Sequence, residues 1–150
     1  MGKTQYETDF YAWVQAQAQA LQAKDWAALD LDNLVEELDT LGRSERHALW
    51  SHLRILLVHL LKWRYQPTRR SRSWRGSTTR ARQNVARRLQ QPSLRQELST
   101  FITEAYTDAR RLAADQTGLP LATFPERCEW HEDQVQDTEF FPNAVGEDTP

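Results

Sequence analysis

One stretch of the chain, residues 34–63, constrains the fold more than any other feature. Apolar residues, most of them leucine, recur there at helical spacing, and within 53–61 they occupy nearly every side of the helix. A helix that is apolar all round is buried by other elements, because its surface would otherwise remain in contact with water. We therefore predict a central helix over about 31–65, which stops because Pro67 disfavours the helical conformation of the residue before it.

Three further segments predict helices that surround the central one, over about 5–23, 74–90 and 93–117. Capping boxes are expected at Thr4–Glu7 and Ser93–Gln96, where a hydroxyl residue is followed three positions later by Glu or Gln. No segment shows the alternation that is typical of strands. The sequence predicts an all-α, single-domain protein that forms a four-helix up-and-down bundle.

Single residues predict where these helices begin and end. Asp30 is expected to cap the central helix, and Ser71 or Ser73 is expected to cap the third helix. Gly118 is expected to end the last helix, since glycine readily adopts the left-handed conformation found there. Gly42 is the weak point of the central helix, where we expect a kink or a break.

The residues after the last predicted helix differ in character from the rest. They are rich in proline and in acidic residues, yet they contain too many large apolar side chains for a disordered tail. These side chains are Leu119, Leu121, Phe124, Trp130, Val135, Phe140 and Phe141. We expect an extended strap over about 118–142 that docks on the bundle, with a helical turn near 131–136. Residues 143–150 are expected to be loose.

The composition is that of a protein from a reducing, aqueous compartment. Of the 150 residues, 39% are hydrophobic, which suffices for one buried core. No apolar stretch is long enough to cross a bilayer and the N-terminus carries no secretory signal, so we expect a cytoplasmic protein without membrane contact. The single cysteine, Cys128, permits no internal disulfide.

The net charge of −2 hides three blocks of opposite sign. Residues 1–42 carry a net charge of −6, residues 43–95 carry +13, and residues 96–150 carry −9. Sixteen of the nineteen basic residues are arginine, whose planar side chain suits bidentate and stacked contacts. Either the acidic blocks neutralise the basic one, or the basic block forms a surface that binds anions.

The best candidate site is the basic turn, defined here as residues 62–75 between the central helix and the third helix. Arginine and aromatic residues are interleaved in it, which suits phosphate binding, cation–π contacts and base stacking. Glu37 is expected to be half-buried and to pair with Lys62 or Arg69. The candidate anion-binding or ion-pair site comprises Glu37, Lys62, Tyr65, Arg69, Arg70, Arg72, Trp74 and Arg75.

Several motifs spread along the chain are similar to those of one bacterial family. The motifs are Tyr6-Glu7, Asp9–Trp13, Asn33–Leu38, Leu41–Glu45, His59–Trp63, Tyr65-Gln66-Pro67, Arg70-Ser71, Ser73-Trp74, Thr117–Leu121 and Phe124-Pro125. They resemble the "domain of unknown function twenty-nine" family, which is frequent in cyanobacteria. The resemblance covers nearly the whole chain. It implies an all-helical single domain and, by the family's own name, no assigned activity.

Other groups match catalytic or metal-binding patterns only in part. His52 and His59 are seven residues apart, whereas a zinc-binding pair on a helix needs a spacing of four. Cys128 and His131 form at most half of a metal site, so we expect no metal and no cofactor. Arg54 and His59 make an Arg-x4-His pattern that resembles the signature of helical-bundle ribonucleases, although the residue after the arginine is apolar here.

Two classes of function stay open, and enzyme activity has no support in the sequence. The first is a small non-catalytic helical module that binds a protein partner or a second copy of itself. The alternative is an anion or nucleic-acid binder that uses the basic turn. A ribonuclease using Arg54 and His59 is a distant third. The overall acidic balance favours the first class over nucleic-acid binding.

Overall fold

The protein is described by a computed structural model over residues 2–147. Within that range every regular element is helical and no strand is present, which confirms the all-α class. The α-helices are α1 (Gln5–Thr8), α2 (Phe10–Gln22), α3 (Leu31–Tyr65), α4 (Arg72–Arg88), α5 (Pro92–Arg95), α6 (Leu98–Thr117) and α7 (Glu132–Gln136). The chain forms two compact units, and the boundary falls between Ser44 and Glu45.

The long helix α3 has the predicted bounds and is continuous through Gly42. Of the kink or break expected there, the break is absent. A glycine inside a helix costs only about 1 kcal/mol relative to alanine, which the flanking turns of good helix formers offset. The helix ends at Tyr65. Pro67 is the first residue of a short 3-10 helix, because the φ angle that its ring fixes is compatible with a helical turn.

The predicted first helix is interrupted at Asp9. Thr4 precedes α1 but its side chain makes no capping hydrogen bond, so the expected capping box is absent. The carboxylate of Asp9 accepts a hydrogen bond from the Ala12 N–H at 3.2 Å and starts α2 afresh. A short acidic side chain competes in this way with the helical backbone, which explains the interruption.

The predicted last helix is also divided. Pro92 occupies the first turn of α5, so Ser93 lies inside that helix and forms no capping box. The helix α6 follows from Leu98 and ends at Gly118, whose φ of 75° is left-handed, as predicted. Ser71 caps α4, since its hydroxyl accepts from the Trp74 N–H at 3.1 Å.

The first unit is a small helical hairpin centred on Trp13. This side chain is 4% exposed, and its indole Nε1–H donates to the carboxylate of Asp30 at 3.0 Å. The Asp30 backbone N–H in turn donates to the side-chain oxygen of Gln17 at 2.7 Å. Tyr6 and Phe10 pack their rings on Trp13. The start of α3 is thus tied to the middle of α2 by one partly buried polar network.

The second unit contains most of the buried apolar side chains. Its centre is the part of α3 that is apolar on nearly every side, where Leu53, Leu57 and Leu60 are fully buried. Residues of α4 and α6 belong to the same cluster, together with Phe124, Trp130 and Val135 from the C-terminal part. A capping box does form in this unit, at the start of α7 between His131 and Gln134.

The C-terminal residues are held through their backbone carbonyls. Tyr106 Oη–H donates to the Pro125 carbonyl at 2.6 Å, and Arg110 Nε donates to the Phe124 carbonyl at 3.0 Å. The helical turn expected near 131–136 is α7. Of the segment expected to be loose, Ala144 is buried, and residues 148–150 lie outside the described residues.

Candidate functional site

The structure divides the predicted site between the two units. Glu37 lies in the first unit, on α3, and the other seven residues lie in the second. The carboxylate of Glu37 accepts a hydrogen bond from the hydroxyl of Tyr6. This bond, with the negative charge behind it, raises the pKa of Tyr6 to about 12. An ion pair of Glu37 with Lys62 or Arg69 stays a prediction.

Within the basic turn, cations lie on aromatic faces. Arg70 lies 5.1 Å from the ring centroid of Trp63 and its Nε donates to the Trp63 carbonyl at 2.8 Å. Lys62 Nζ lies 4.9 Å from the ring centroid of Trp74. A guanidinium over an aromatic ring keeps its full charge, because the ring attracts the cation without neutralising it. The aromatic residues of this turn therefore order the cations.

Two residues of the basic turn, Arg64 and Tyr65, contact one acid of the C-terminal part. Its hydroxyl donates to Glu129 at 3.3 Å, and Arg64 Nε lies 3.2 Å from the same carboxylate. Burial raises the pKa of Tyr65. Among the described residues, three acids of the C-terminal block pair with arginines of the basic block, as the first of the two charge interpretations predicts: Glu97 with Arg46, Asp108 with Arg54, and Glu129 with Arg64.

The outer face of α4 continues the positive charge of the basic turn. Arg72, Arg75 and Arg80 are exposed on this face, and Arg69 is exposed just before it. No carboxylate among the described residues of the second unit lies within ion-pair distance of these four arginines. Arg75 makes a cation–π contact with Phe141, 4.4 Å from its centroid. The face is suited to negatively charged ligands.

A second candidate surface lies in the first unit, where the sequence predicted only buried core. We define the apolar face as the exposed large apolar side chains of that unit, which are Phe10, Tyr11, Val14, Leu21, Trp26, Leu31, Val35, Leu38 and Leu41. Leu38 is 65% exposed and Leu41 is 63% exposed. Only three further exposed residues of this kind occur in the described part of the second unit: Ile55, Leu121 and Val145.

The apolar face contains a groove of about 430 Å³ between α2 and the first turns of α3. Phe10, Val14 and Leu21 line it from α2, and Leu34, Leu38 and Leu41 line it from α3. Glu37 is the one charged residue along its wall among the described residues. The sequence predicted a buried stripe here, and that prediction is wrong for Leu38 and Leu41, which are exposed. What the sequence could not show is that nothing in the first unit covers it.

The weaker catalytic candidates have structural contacts of their own. Arg54 pairs with Asp108 at 2.9 Å and stacks on Trp50. His59 is partly buried, and burial lowers its pKa, as does the positive charge of Lys62. Its Nδ1 is buried and has no hydrogen-bond partner among the described residues. The ribonuclease assignment of Arg54 and His59 stays a prediction.

Cys128 and His131 serve the local structure of the C-terminal part. The Cys128 thiol contacts the Trp130 carbonyl at 3.7 Å, and burial raises its pKa. His131 caps α7. Among residues 2–147, no cluster of three or more potential metal ligands is present. Within the same range, each helix is too short or too polar to cross a membrane.

The comparison with known families agrees with the motif resemblance. The profile of a domain of unknown function, DUF29, matches residues 5–141. The chain belongs to the DUF29 family. No curated protein and no solved structure matches it. In this DUF29 protein the matched range includes both the apolar face and the basic turn, so both surfaces fall within the family domain.

Proposed function

We propose that this DUF29 protein is a small non-catalytic helical module that binds another protein through the apolar face of its first unit. The observation that carries the proposal is the groove between α2 and α3, with its rows of exposed leucine, valine and phenylalanine. Large contiguous apolar patches on a protein surface mark interaction sites, whereas single exposed apolar residues are common and carry no such meaning.

The energetics of burial support this proposal. Each large apolar side chain that leaves water on binding contributes roughly 1.5–3 kcal/mol, reduced by the cost of association. Leu38, Leu41 and Val35 are 57–65% exposed, so a partner that covers them gains more than half of that contribution from each. Among residues 2–44 of the first unit, few side chains are buried, namely Trp13, Gln17 and Ala20. A partner that covered the face would supply the core that this unit lacks.

The proposal is tested by cross-linking in cells. A photoreactive amino acid at position 38 is compared with the same amino acid at position 55, since Leu38 and Ile55 are exposed apolar residues of one helix in different units. We expect a discrete adduct with another chain from position 38 and none from position 55. Identical patterns from both positions, or no adduct from position 38, would contradict the proposal.

A second candidate function, anion or nucleic-acid binding through the basic turn, has an observation of its own. The exposed arginines of that turn and of α4 have no carboxylate partner within the described second unit. Binding to duplex nucleic acid would weaken with salt, with a log–log slope of about −0.9 for each phosphate contacted. The test is a salt titration of the wild type against DNA and RNA, with Arg69→Ala plus Arg72→Ala as the variant. An affinity that does not change with salt, or one that the double substitution leaves unchanged, would contradict this function.

We propose that residues 118–142 act as a strap docked on the helices of the second unit, and that the module acts in the cytoplasm. The burial of Phe124, Trp130 and Val135 supports the strap. A chain that ends at Gly118 should lose several kcal/mol of unfolding free energy, roughly 1.5–3 for each large side chain removed from the core. Equal urea midpoints for the two chains would show that the strap adds no stability.

A further inference from the structure

The groove of the first unit has the dimensions of a site for one short helix. Its apolar residues on α2 are spaced from Phe10 to Leu21, which is about 16 Å at 1.5 Å per residue. On α3 they recur at Leu34, Leu38 and Leu41, which is the i, i+4, i+7 pattern of a helix face. A third helix of about three turns would cover the apolar rows of both helices along this length.

The charge of the first unit indicates which charge a helix that docks in the groove must carry. The described part of the first unit carries eight acidic residues against Lys3, Lys24 and Arg43. None of the acidic residues forms an ion pair within this unit. Glu37 lies on the groove wall, whereas Asp32 and Glu36 are exposed on the opposite side of the same helix and add only to the overall negative charge of the unit. A helix that docks here meets a negative potential that the unit does not compensate.

From these observations we infer that the occupant of the groove is a basic amphipathic helix of a partner protein, with apolar residues at i, i+4 and i+7 and lysine or arginine on both sides of them. The inference rests on the proposed function and specifies the partner's chemistry. The apolar residues of such a helix fill the groove, and its basic residues face the acidic surface of the first unit.

The chain's own helices do not meet this description. The helix α4 is basic, but its outward residues Arg72, Arg75 and Arg80 are separated by Gly76 and Thr79, with no large apolar side chain among those five. Its apolar residues Ala81 and Val85 are buried in the core of the second unit. The first unit of a second copy would bring an equally acidic surface. A like charge at the interface opposes that pairing.

The inference is tested with the full chain and three labelled designed peptides, followed by fluorescence anisotropy. The first peptide is an amphipathic helix of leucine and lysine, the second has glutamate in place of lysine, and the third is a scrambled leucine–lysine sequence without an apolar face. We expect the first to bind with an affinity that falls as salt rises. The second and third should bind about tenfold more weakly or worse, a difference of about 1.4 kcal/mol.

Variants locate the peptide. Leu38→Asn and Leu41→Asn should each weaken binding of the first peptide about tenfold, because each removes an apolar contact in the groove. Both side chains are mostly in solvent, so the variants are expected to fold, which circular dichroism verifies. Ile55→Asn is the matched control, an exposed apolar residue of α3 outside the first unit, and it should leave the affinity unchanged.

Other outcomes overturn the inference in distinguishable ways. Equal, Leu38-dependent binding of the lysine and glutamate peptides would refute the basic occupant and leave the proposed function standing. Dimerisation that Leu38→Asn abolishes, with no peptide bound, would make a second copy the occupant. Equal binding of the scrambled peptide, or binding that Leu38→Asn leaves intact, would mean attraction by charge alone. A monomer that binds no peptide, and yields no cross-link from position 38, would refute both proposals.

Discussion

At the scale of single residues, carboxylates decide how the first unit is held together. Asp30 accepts from the Trp13 indole and from the side-chain amide of Asn33 at 2.8 Å. These hydrogen bonds, with that from Asn33 first, lower the pKa of Asp30. The carboxylate of Glu37 likewise accepts a hydrogen bond from the hydroxyl of Tyr6. In both cases an ionised carboxylate accepts from a neutral donor, which is one of the stronger classes of hydrogen bond.

The bond between Tyr6 and Glu37 makes a prediction about alkaline pH. The pKa of Tyr6 is about 12 in the folded chain against 10.0 for a free tyrosine, so folding favours the protonated hydroxyl. Its contribution to stability is complete below pH 10 and is lost as the pH rises towards 12. The unfolding free energy of the wild type should therefore fall more steeply over that interval than that of Tyr6→Phe.

Urea unfolding at a series of pH values measures this difference. Tyr11→Phe is the control, because the Tyr11 hydroxyl accepts a hydrogen bond from Gln15 and is well exposed. The control should keep the slope of the wild type. Parallel curves for the wild type and Tyr6→Phe would show that the hydrogen bond to Glu37 does not form in solution.

At the scale of elements, a buried arginine joins α4 to α7. Arg82 is 3% exposed, and its Nε and Nη2 donate to the carbonyls of Val135 and Gln134 at 3.0 and 3.4 Å. Its guanidinium also stacks on Phe141, 5.4 Å from the ring centroid. Burial lowers the pKa of Arg82. The planar side chain both bonds and stacks, which a lysine does not reproduce.

This arrangement predicts an unusual order of stability for substitutions at Arg82. Arg82→Lys should cost more unfolding free energy than Arg82→Met, because lysine retains a buried charge with fewer aligned donors, whereas methionine removes the charge. We expect a loss of about 1–3 kcal/mol for Arg82→Met, chiefly from the unpaired carbonyls. Chemical denaturation of the three chains measures the order. The reverse order would mean that the charge itself is stabilising.

At the scale of the whole molecule, burial is unevenly distributed along the sequence. In α2 only Trp13, Gln17 and Ala20 are buried, whereas in α3 every residue of 56–61 except the partly buried His59 is buried. Elements with few buried apolar contacts open at a lower free energy than core elements. The two compact units are therefore expected to differ in local stability.

Hydrogen–deuterium exchange tests this difference directly. Amides of α2 should exchange through a more frequent opening than amides of residues 53–61 in α3. Addition of the leucine–lysine peptide should slow exchange in α2 and leave 53–61 unchanged, since a bound ligand stabilises the conformation that it binds. Equal protection of both segments in the free chain would show that they unfold as one cooperative unit.

The features predicted correctly from the sequence are those set by local chemistry. The bounds of α3 follow from its apolar periodicity, and the cap at Ser71 follows from a hydroxyl directly before a helix. The end of α6 follows from a glycine that adopts the left-handed conformation at Gly118. The two expected capping boxes do not form, because neighbouring residues start the helices at other positions. Asp9 restarted the first helix and Pro92 started the last one early. The cation–π contacts of the basic turn with Trp63 and Trp74 join residues that the sequence already places close together, whereas the contact of Arg75 with Phe141 depends on packing.

The sequence by itself determined that this protein is helical, where its longest helix lies and how its charges are grouped, because each depends on residues close together in the chain. The tertiary structure alone decided which apolar stripe is covered. Leu34, Leu38 and Leu41 continue the same periodicity as Leu53, Leu57 and Leu60 on one helix, yet the latter are buried and Leu38 and Leu41 are exposed. Burial depends on what packs against a stripe, and α4, α6 and the C-terminal residues supply that cover in the second unit.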